Sequence, residues 1–290
     1  MRDPRRLPFH LVNVFSIPDD PFSGNPLCVF DDGAAISESE MQALARQTNL
    51  SETTFILSPI LVGATARVRI FTPTSEMPFA GHPTLGTAHV VRSLGRGTDE
   101  VVLELPAGLV RVAAHADRWT LETAHAPRTR VPEATSAALA TMVGAPELGG
   151  PPLWVNTGVE QLVLPLRSVD DVKACKPSGA LLGELAVRTE GDKRSAYVWA
   201  AGDDGVVLAR YFFVQHGGVM EDPATGSACA NLGGWMLATG ARQPVDLRVD
   251  QGAFVGRPSR LQLQVRDGRV FVGGEVTDVG RGEMVLPATP

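Results

Sequence analysis

A short phrase occurs twice in the 290-residue chain, once in each half. The copies are His82-Pro83-Thr84-Leu85-Gly86-Thr87-Ala88 and Asp222-Pro223-Ala224-Thr225-Gly226-Ser227-Ala228. They share Pro, Gly, a small hydroxyl residue and Ala at matching places, and they start 140 residues apart. Each follows an aromatic, β-type run, Arg69-Ile70-Phe71-Thr72 in the first half and Arg210-Tyr211-Phe212-Phe213 in the second. Both read as strand, polar loop and helix start. Duplication at half-chain spacing predicts two pseudo-equivalent domains, with a site in the cleft between them.

Bulk properties narrow the class. A chain of 290 residues is long enough for about two domains and a large core. A net charge of -6 disfavours nucleic acid and anionic membrane as partners. No run of about 18 apolar residues predicts a membrane-spanning helix. The basic start, Met1 to Arg6, leads into a stretch broken by His10 and Asn13, which reads as a first strand of a cytoplasmic protein rather than a signal peptide. Cys28, Cys175 and Cys229 are odd in number and widely spaced, so neither a disulfide framework nor a zinc site is expected.

Local patterns supply the elements. Strands are expected over Phe9–Phe15 and Leu27–Phe30, with Asp31-Asp32-Gly33 closing a hairpin. Ser37 with Glu40 has the spacing of a capping box at a helix start. Glu52 opens a β-rich run to Leu57, at a helix-to-strand junction. Ala66–Phe71 is a strand leading to a helix over Thr84–Leu94. A three-strand meander follows: Val101–Leu105, Leu109–Ala113 and Arg118–Glu122.

The second half predicts helices over Thr135–Val143, Val169–Ala174 and from Ser227 to about Thr239. Its strands are Leu153–Asn156, Leu162–Leu166, Ala196–Ala200 and Val206–Val214, then a meander of Asp246–Asp250, Arg260–Val265 and Val270–Glu275. Glu283–Leu286 reads as one more strand. Gly158-Val159-Glu160-Gln161-Leu162-Val163 echoes Gly24-Asn25-Pro26-Leu27-Cys28-Val29, a second trace of duplication. The absence of regular strand-helix-strand alternation argues against a doubly wound sheet.

Three groups of residues have the chemistry for a site. Gly81-His82 and Thr225-Gly226-Ser227 lie at helix starts, where open backbone N–H groups and the helix dipole favour an anion; plain capping is the other reading. His82 and Asp222 hold the first place of the two copies and differ, so a pseudo-symmetric cleft would set a histidine opposite a carboxylate for binding or proton transfer. A histidine bonded within its loop and an N-capping aspartate would look the same in sequence. Glu52, where apolar helix end meets apolar strand, suits general acid/base work if partly buried, or else bonds to backbone amides at the junction. Glu76 and Glu221 are weaker candidates.

Taken together, residues 49–55 (Asn-Leu-Ser-Glu-Thr-Thr-Phe), 79–88 (Phe-Ala-Gly-His-Pro-Thr-Leu-Gly-Thr-Ala) and 221–228 (Glu-Asp-Pro-Ala-Thr-Gly-Ser-Ala) closely resemble the PhzF, or phenazine-biosynthesis-like, family. Residues 21–30 look like that family's N-terminal hairpin. The resemblance implies an α+β, diaminopimelate-epimerase-like fold: two pseudo-symmetric domains, each a curled, mostly antiparallel sheet around a central helix. It implies a cofactor-free, metal-free homodimer acting on a small carboxylate. By that resemblance Glu52 is the acid/base that moves a proton between two carbons. His82 and Asp222 are its polar companions, Gly81, Gly226 and Ser227 bind the anion, and Asn25 contacts substrate.

Related epimerases and racemases use two cysteines. Ala80 falls at the first thiol and the second falls near Pro223, so neither is present. This favours an isomerase using a single carboxylate. The alternatives are a non-catalytic small-molecule-binding or interaction protein, and a racemase or dehydratase using Cys229. His216, in the loop Val214–Met220, is a candidate for the rim of the site or a plain surface residue. The expected domains are 1–127 with 277–290, and 128–276.

Overall fold

The computed structural model describes residues 3–123, 125–215 and 217–288; His216 lies outside them. The chain divides into two compact units, Met1–Leu121 with Gly274–Pro290, and Glu122–Gly273.

In the first unit β1 (Arg5–Ser16) and β2 (Asn25–Phe30) form an antiparallel hairpin whose bend is the 17–24 segment. Asp31-Asp32-Gly33 does not close that hairpin. It leads into α1 (Glu38–Thr48), which crosses over to β3 (Glu52–Leu57), parallel to β2. Helix α1 carries the expected capping box between Ser37 and Glu40 and buries Met41, Leu44 and Ala45. Strand β4 (Ala66–Phe71) runs antiparallel to β3 and turns back into the two-residue β5 (Glu76–Met77). Helix α2 (Gly81–Ser93) then crosses to β6 (Glu100–Leu105), parallel to β4. The meander of β6, β7 (Gly108–His115) and β8 (Arg118–Glu122) follows the sequence reading closely.

Helix α2 begins three residues before the expected Thr84. Pro83 falls in its first turn, where a missing N–H costs nothing. Residues His82 to Val91 are all buried, because β1, β2, β3, β4, β6 and β7 pack around the helix. A helix of small and apolar residues on every face suits such a place. Gly86 sets the closeness of approach: a Cβ there would lie 2.6 Å from Leu27 Cδ2 and 2.8 Å from Val14 Cγ2. The rest of the unit's core joins Phe30, Phe55 and Phe71, with Phe30 stacked on Phe55 at 4.9 Å.

The second unit repeats the plan. Strands β9 (Arg128–Arg130), β10 (Leu153–Asn156) and β11 (Glu160–Pro165) are antiparallel neighbours. Helix α3 (Ser136–Val143) precedes β10; α4 (Val169–Ala174) and α5 (Gly179–Leu185) cross from β11 to β12 (Ser195–Ala201), parallel to it. Strand β13 (Val207–Gln215) is antiparallel to β12 and folds back into β14 (Gly218–Asp222). Much of the loop expected before the second phrase is thus a strand. Helix α6 (Gly226–Ala238) crosses to β15 (Val245–Gln251), parallel to β13, and packs on β9, β10, β11 and β16 (Ser259–Arg266).

The last two predicted strands are one. Strand β17 (Arg269–Leu286) pairs with β16 through residues 269–273 and with β1 through residues 275–286. Parallel pairs joined through helices recur at matching places in both units, within sheets that are otherwise antiparallel. The sequence reading missed this periodic strand-helix-strand element because each unit contains it only twice.

The duplication is therefore in the fold, but its register differs from that of the repeated phrase. Phe71 faces Glu76 across a short hairpin, whereas Phe212 faces Glu221 across one four residues longer. The helix starts, Gly81 and Gly226, are consequently 145 residues apart rather than 140. His82 corresponds to Ser227, not to Asp222, and the cap residue Ala80 corresponds to Thr225.

Candidate active site

In the first unit three predicted residues converge. Glu52 is the first residue of β3 and pairs in register with Leu27. His82, second in α2, sets its Nε2 3.4 Å from Glu52 Oε2. Burial lowers the His82 pKa to about 3, opposed by a hydrogen bond to the Pro26 carbonyl, so the ring is neutral at physiological pH. Asn25, buried at the start of β2, precedes Pro26 directly. With the ring's proton on the Pro26 side, a lone pair faces Glu52. Gly81 opens the helix, and its cap Ala80 makes no side-chain hydrogen bond. Behind the pair, Thr54 and Thr87 hydroxyls meet at 2.8 Å and Thr48 and Thr53 hydroxyls at 2.7 Å, fixing β3 to its neighbours.

In the second unit Asp222 ends β14, and its Oδ2 accepts a 2.5 Å hydrogen bond from the Thr225 hydroxyl. Gln251 Nε2 donates to the Asp222 carbonyl at 2.8 Å and to Thr225 Oγ1 at 3.0 Å, while its Oε1 accepts from Thr225 N–H at 3.3 Å. Gly226 opens α6, and Ser227 Oγ accepts from Gln161 Nε2 at 3.0 Å. Glu52, His82, Asn25 and Gly81 thus group within one unit, and Asp222, Gly226 and Ser227 within the other.

Sequence reasoning did not find Gln161, Gln251, Asn231 or Thr157, all buried polar groups in these networks. The echo of residues 24–29 in residues 158–163 was the available signal, since it aligns Leu27 with Gln161. Glu76 and Glu221 are held in ion pairs: Glu76 with Arg69 at 2.6 Å, and Glu221 with buried Arg210 at 2.7 Å. Cys229 is fully buried in α6, and burial pushes its thiol far above the ordinary range. Burial likewise raises Cys28 to about 12 and Cys175 to about 11. None is available as a thiolate. The cap residues of the two buried helices, Ala80 and Thr225, are not cysteines. Among the described residues no group of three or more His, Cys, Asp or Glu is placed to hold a metal, and no helix is long and apolar enough to cross a membrane.

Duplicated sheets, each with a buried helix entered from a polar loop, define an α+β chain of the diaminopimelate-epimerase-like fold class. A crystal structure of a PhzF-family protein from Bacillus anthracis superposes with a TM-score of 0.82 at 22% identity, covering 97% of this chain and 99% of that one. The sequence model described as phenazine biosynthesis-like protein matches residues 12–282, and the chain belongs to that PhzF family. An uncharacterized isomerase of Pasteurella multocida is 38% identical over 97% of this chain and 94% of its own. A trans-2,3-dihydro-3-hydroxyanthranilate isomerase of Pseudomonas fluorescens is 34% identical over 92% and 95%.

Proposed function

We propose that this protein is an isomerase that moves a proton within a small cyclic carboxylate, with Glu52 as the single general acid/base. Supporting the reading, relatives across nearly the whole chain are named isomerases. The observation that carries it is the Glu52 carboxylate set 3.4 Å from a buried, neutral His82.

In this reading Glu52 takes a proton from one carbon, leaving an electron pair delocalised into the substrate's π system. It then returns the proton to a second carbon on the same face, so no proton is lost and nothing is oxidised. The lone pair of His82 accepts a hydrogen bond from Glu52 while Glu52 carries that proton. Asn25 and Asp222 are assigned to polar substituents, and the helix starts at Gly81 and at Gly226-Ser227 to anionic groups. One carboxylate with no thiol partner supports isomerisation over racemisation, which needs proton delivery from the opposite face.

The test is deuterium exchange from solvent into trans-2,3-dihydro-3-hydroxyanthranilate and related ring carboxylates, followed by NMR. Wild-type protein is expected to exchange. Glu52→Gln should fold normally and lose exchange by about 10²–10⁴-fold, the usual contribution of a positioned acid/base. Exchange at the wild-type rate by Glu52→Gln would sink the assignment.

A further inference from the structure

The buried amides of the second unit have a hydrogen-bonding direction that backbone groups impose. The Thr157 N–H can only donate, and it donates to Asn231 Oδ1 at 2.9 Å. The Val159 carbonyl can only accept, and it accepts from Asn231 Nδ2 at 2.8 Å. These two contacts fix which end of the Asn231 amide is oxygen. The second Nδ2 hydrogen goes to Gln161 Oε1 at 2.7 Å, which fixes the Gln161 amide in turn. Gln161 Nε2 then faces outward and gives its hydrogens to Ser227 Oγ at 3.0 Å and Tyr211 Oη at 3.3 Å. Asn231, Gln161 and Tyr211 are buried, while Ser227 is partly exposed.

We infer that Gln161 and Asn231 are positioning residues that make the Ser227 hydroxyl a hydrogen-bond donor toward the ligand. Its oxygen already accepts from Gln161, so its own hydrogen points away from the network. That part of the site takes an acceptor oxygen, a carboxylate or carbonyl, in preference to an ammonium or a donating hydroxyl. The inference rests on the proposed reading of Ser227 as a ligand contact, and it adds the residues that set its polarity. Reversing the last amide reverses the hydroxyl. In Gln161→Glu, position 161 offers only acceptors to Ser227, and the serine hydrogen turns inward to meet it.

The experiment is a double-mutant cycle on the full-length protein, with benzoate and anthranilate as probes and calorimetric affinity as readout. In the wild-type background Ser227→Ala is expected to weaken binding about 10-fold or more, as a lost bond to a charged group does. In the Gln161→Glu background the same substitution should cost less than about 2-fold, because its hydroxyl no longer faces the ligand. Each comparison is made within one background, so the added charge cancels. Gln161→Met, which neither donates nor accepts, guards against a Glu variant that fails to fold, and there Ser227→Ala should cost an intermediate amount. An undiminished 10-fold cost in either background overturns the inference, as does failure of both probes to bind wild-type protein. Solvent-exchange measurements on Glu52→Gln decide the proposed function separately. A chain that binds benzoate through Ser227 yet exchanges no proton would keep this inference and lose the isomerase.

Discussion

The starts of α2 and α6 hold the same place in two copies of one plan and carry opposite chemistry. Glu52 opens β3, and the residue opening β12 is Ser195. His82, second in α2, faces a carboxylate; Ser227, second in α6, faces the amide of Gln161. Deeper in the helices, Gly86 is sixth in α2 and packs on Leu27, while Asn231 is sixth in α6 and bonds to Gln161. The first unit thus sets a carboxylate beside an imidazole, the pair that the proposed reading uses for proton transfer. The second sets amides and hydroxyls around the start of its helix, together with a carboxylate whose Oδ2 accepts from Thr225. Duplication preserved the backbone plan, and the side chains at matching places diverged.

The sharpest way to break this comparison is to treat both strand openings alike. Glu52→Ala should cut turnover by about 10²–10⁴-fold, and Ser195→Ala should not. A comparable loss in both, measured by NMR exchange, would show that the second unit also supplies an acid or base. Next is Asn231→Ala, which strands the Gln161 and Val159 oxygens and the Thr157 N–H; a loss of about 3 kcal/mol or more is expected in urea unfolding.

A third test uses pH. The folded-state pKa of His82 is lowered from 6.5 to about 3, so the unfolded chain takes up the proton first as pH falls. The contribution is full above pH 6.5 and is lost as pH falls toward 3, the loss reaching about 2 kcal/mol at pH 5. His82→Asn should flatten that limb relative to wild type, and an unchanged slope would contradict the neutral ring. Gly86→Ala should cost about 1–3 kcal/mol through overpacking against Leu27 and Val14. The smallest effect expected is Ser195→Ala. The buried Ser195 hydroxyl has no hydrogen-bond partner among the described residues, so its removal should raise stability by up to about 1 kcal/mol.

What was legible in the sequence was local. The capping box at Ser37, the strand opened by Glu52 and both meanders follow from patterns a few residues long. Glu52 and His82 each sit at a recognisable junction, but that the two meet at 3.4 Å was not read from the sequence, which set His82 opposite Asp222. The register of the duplication was not legible. A hairpin four residues longer in the second half slid the repeated phrase off the true equivalence and paired His82 with Asp222 instead of Ser227. The amide relay was hidden for a different reason. Thr157, Gln161 and Asn231 are joined by hydrogen bonds spanning 70 to 74 residues, and apart from the echo that aligns Gln161 with Leu27 nothing in their near neighbours marks them as buried.

Strand β17 has a consequence for the order in which the chain is assembled. The second unit is one unbroken stretch, but the first waits for its final strand, since Arg5 is paired with Leu286. During synthesis the second unit has all its strands before the first does. Strand β1, although it precedes the whole second unit, has only β2 beside it until residues 275–286 have been made. Closing a loop of that length carries an entropy cost that grows only slowly with length, so the delay is one of timing more than of stability. Loss of residues 275–286 would accordingly damage the unit whose first strand was made before any of the second unit.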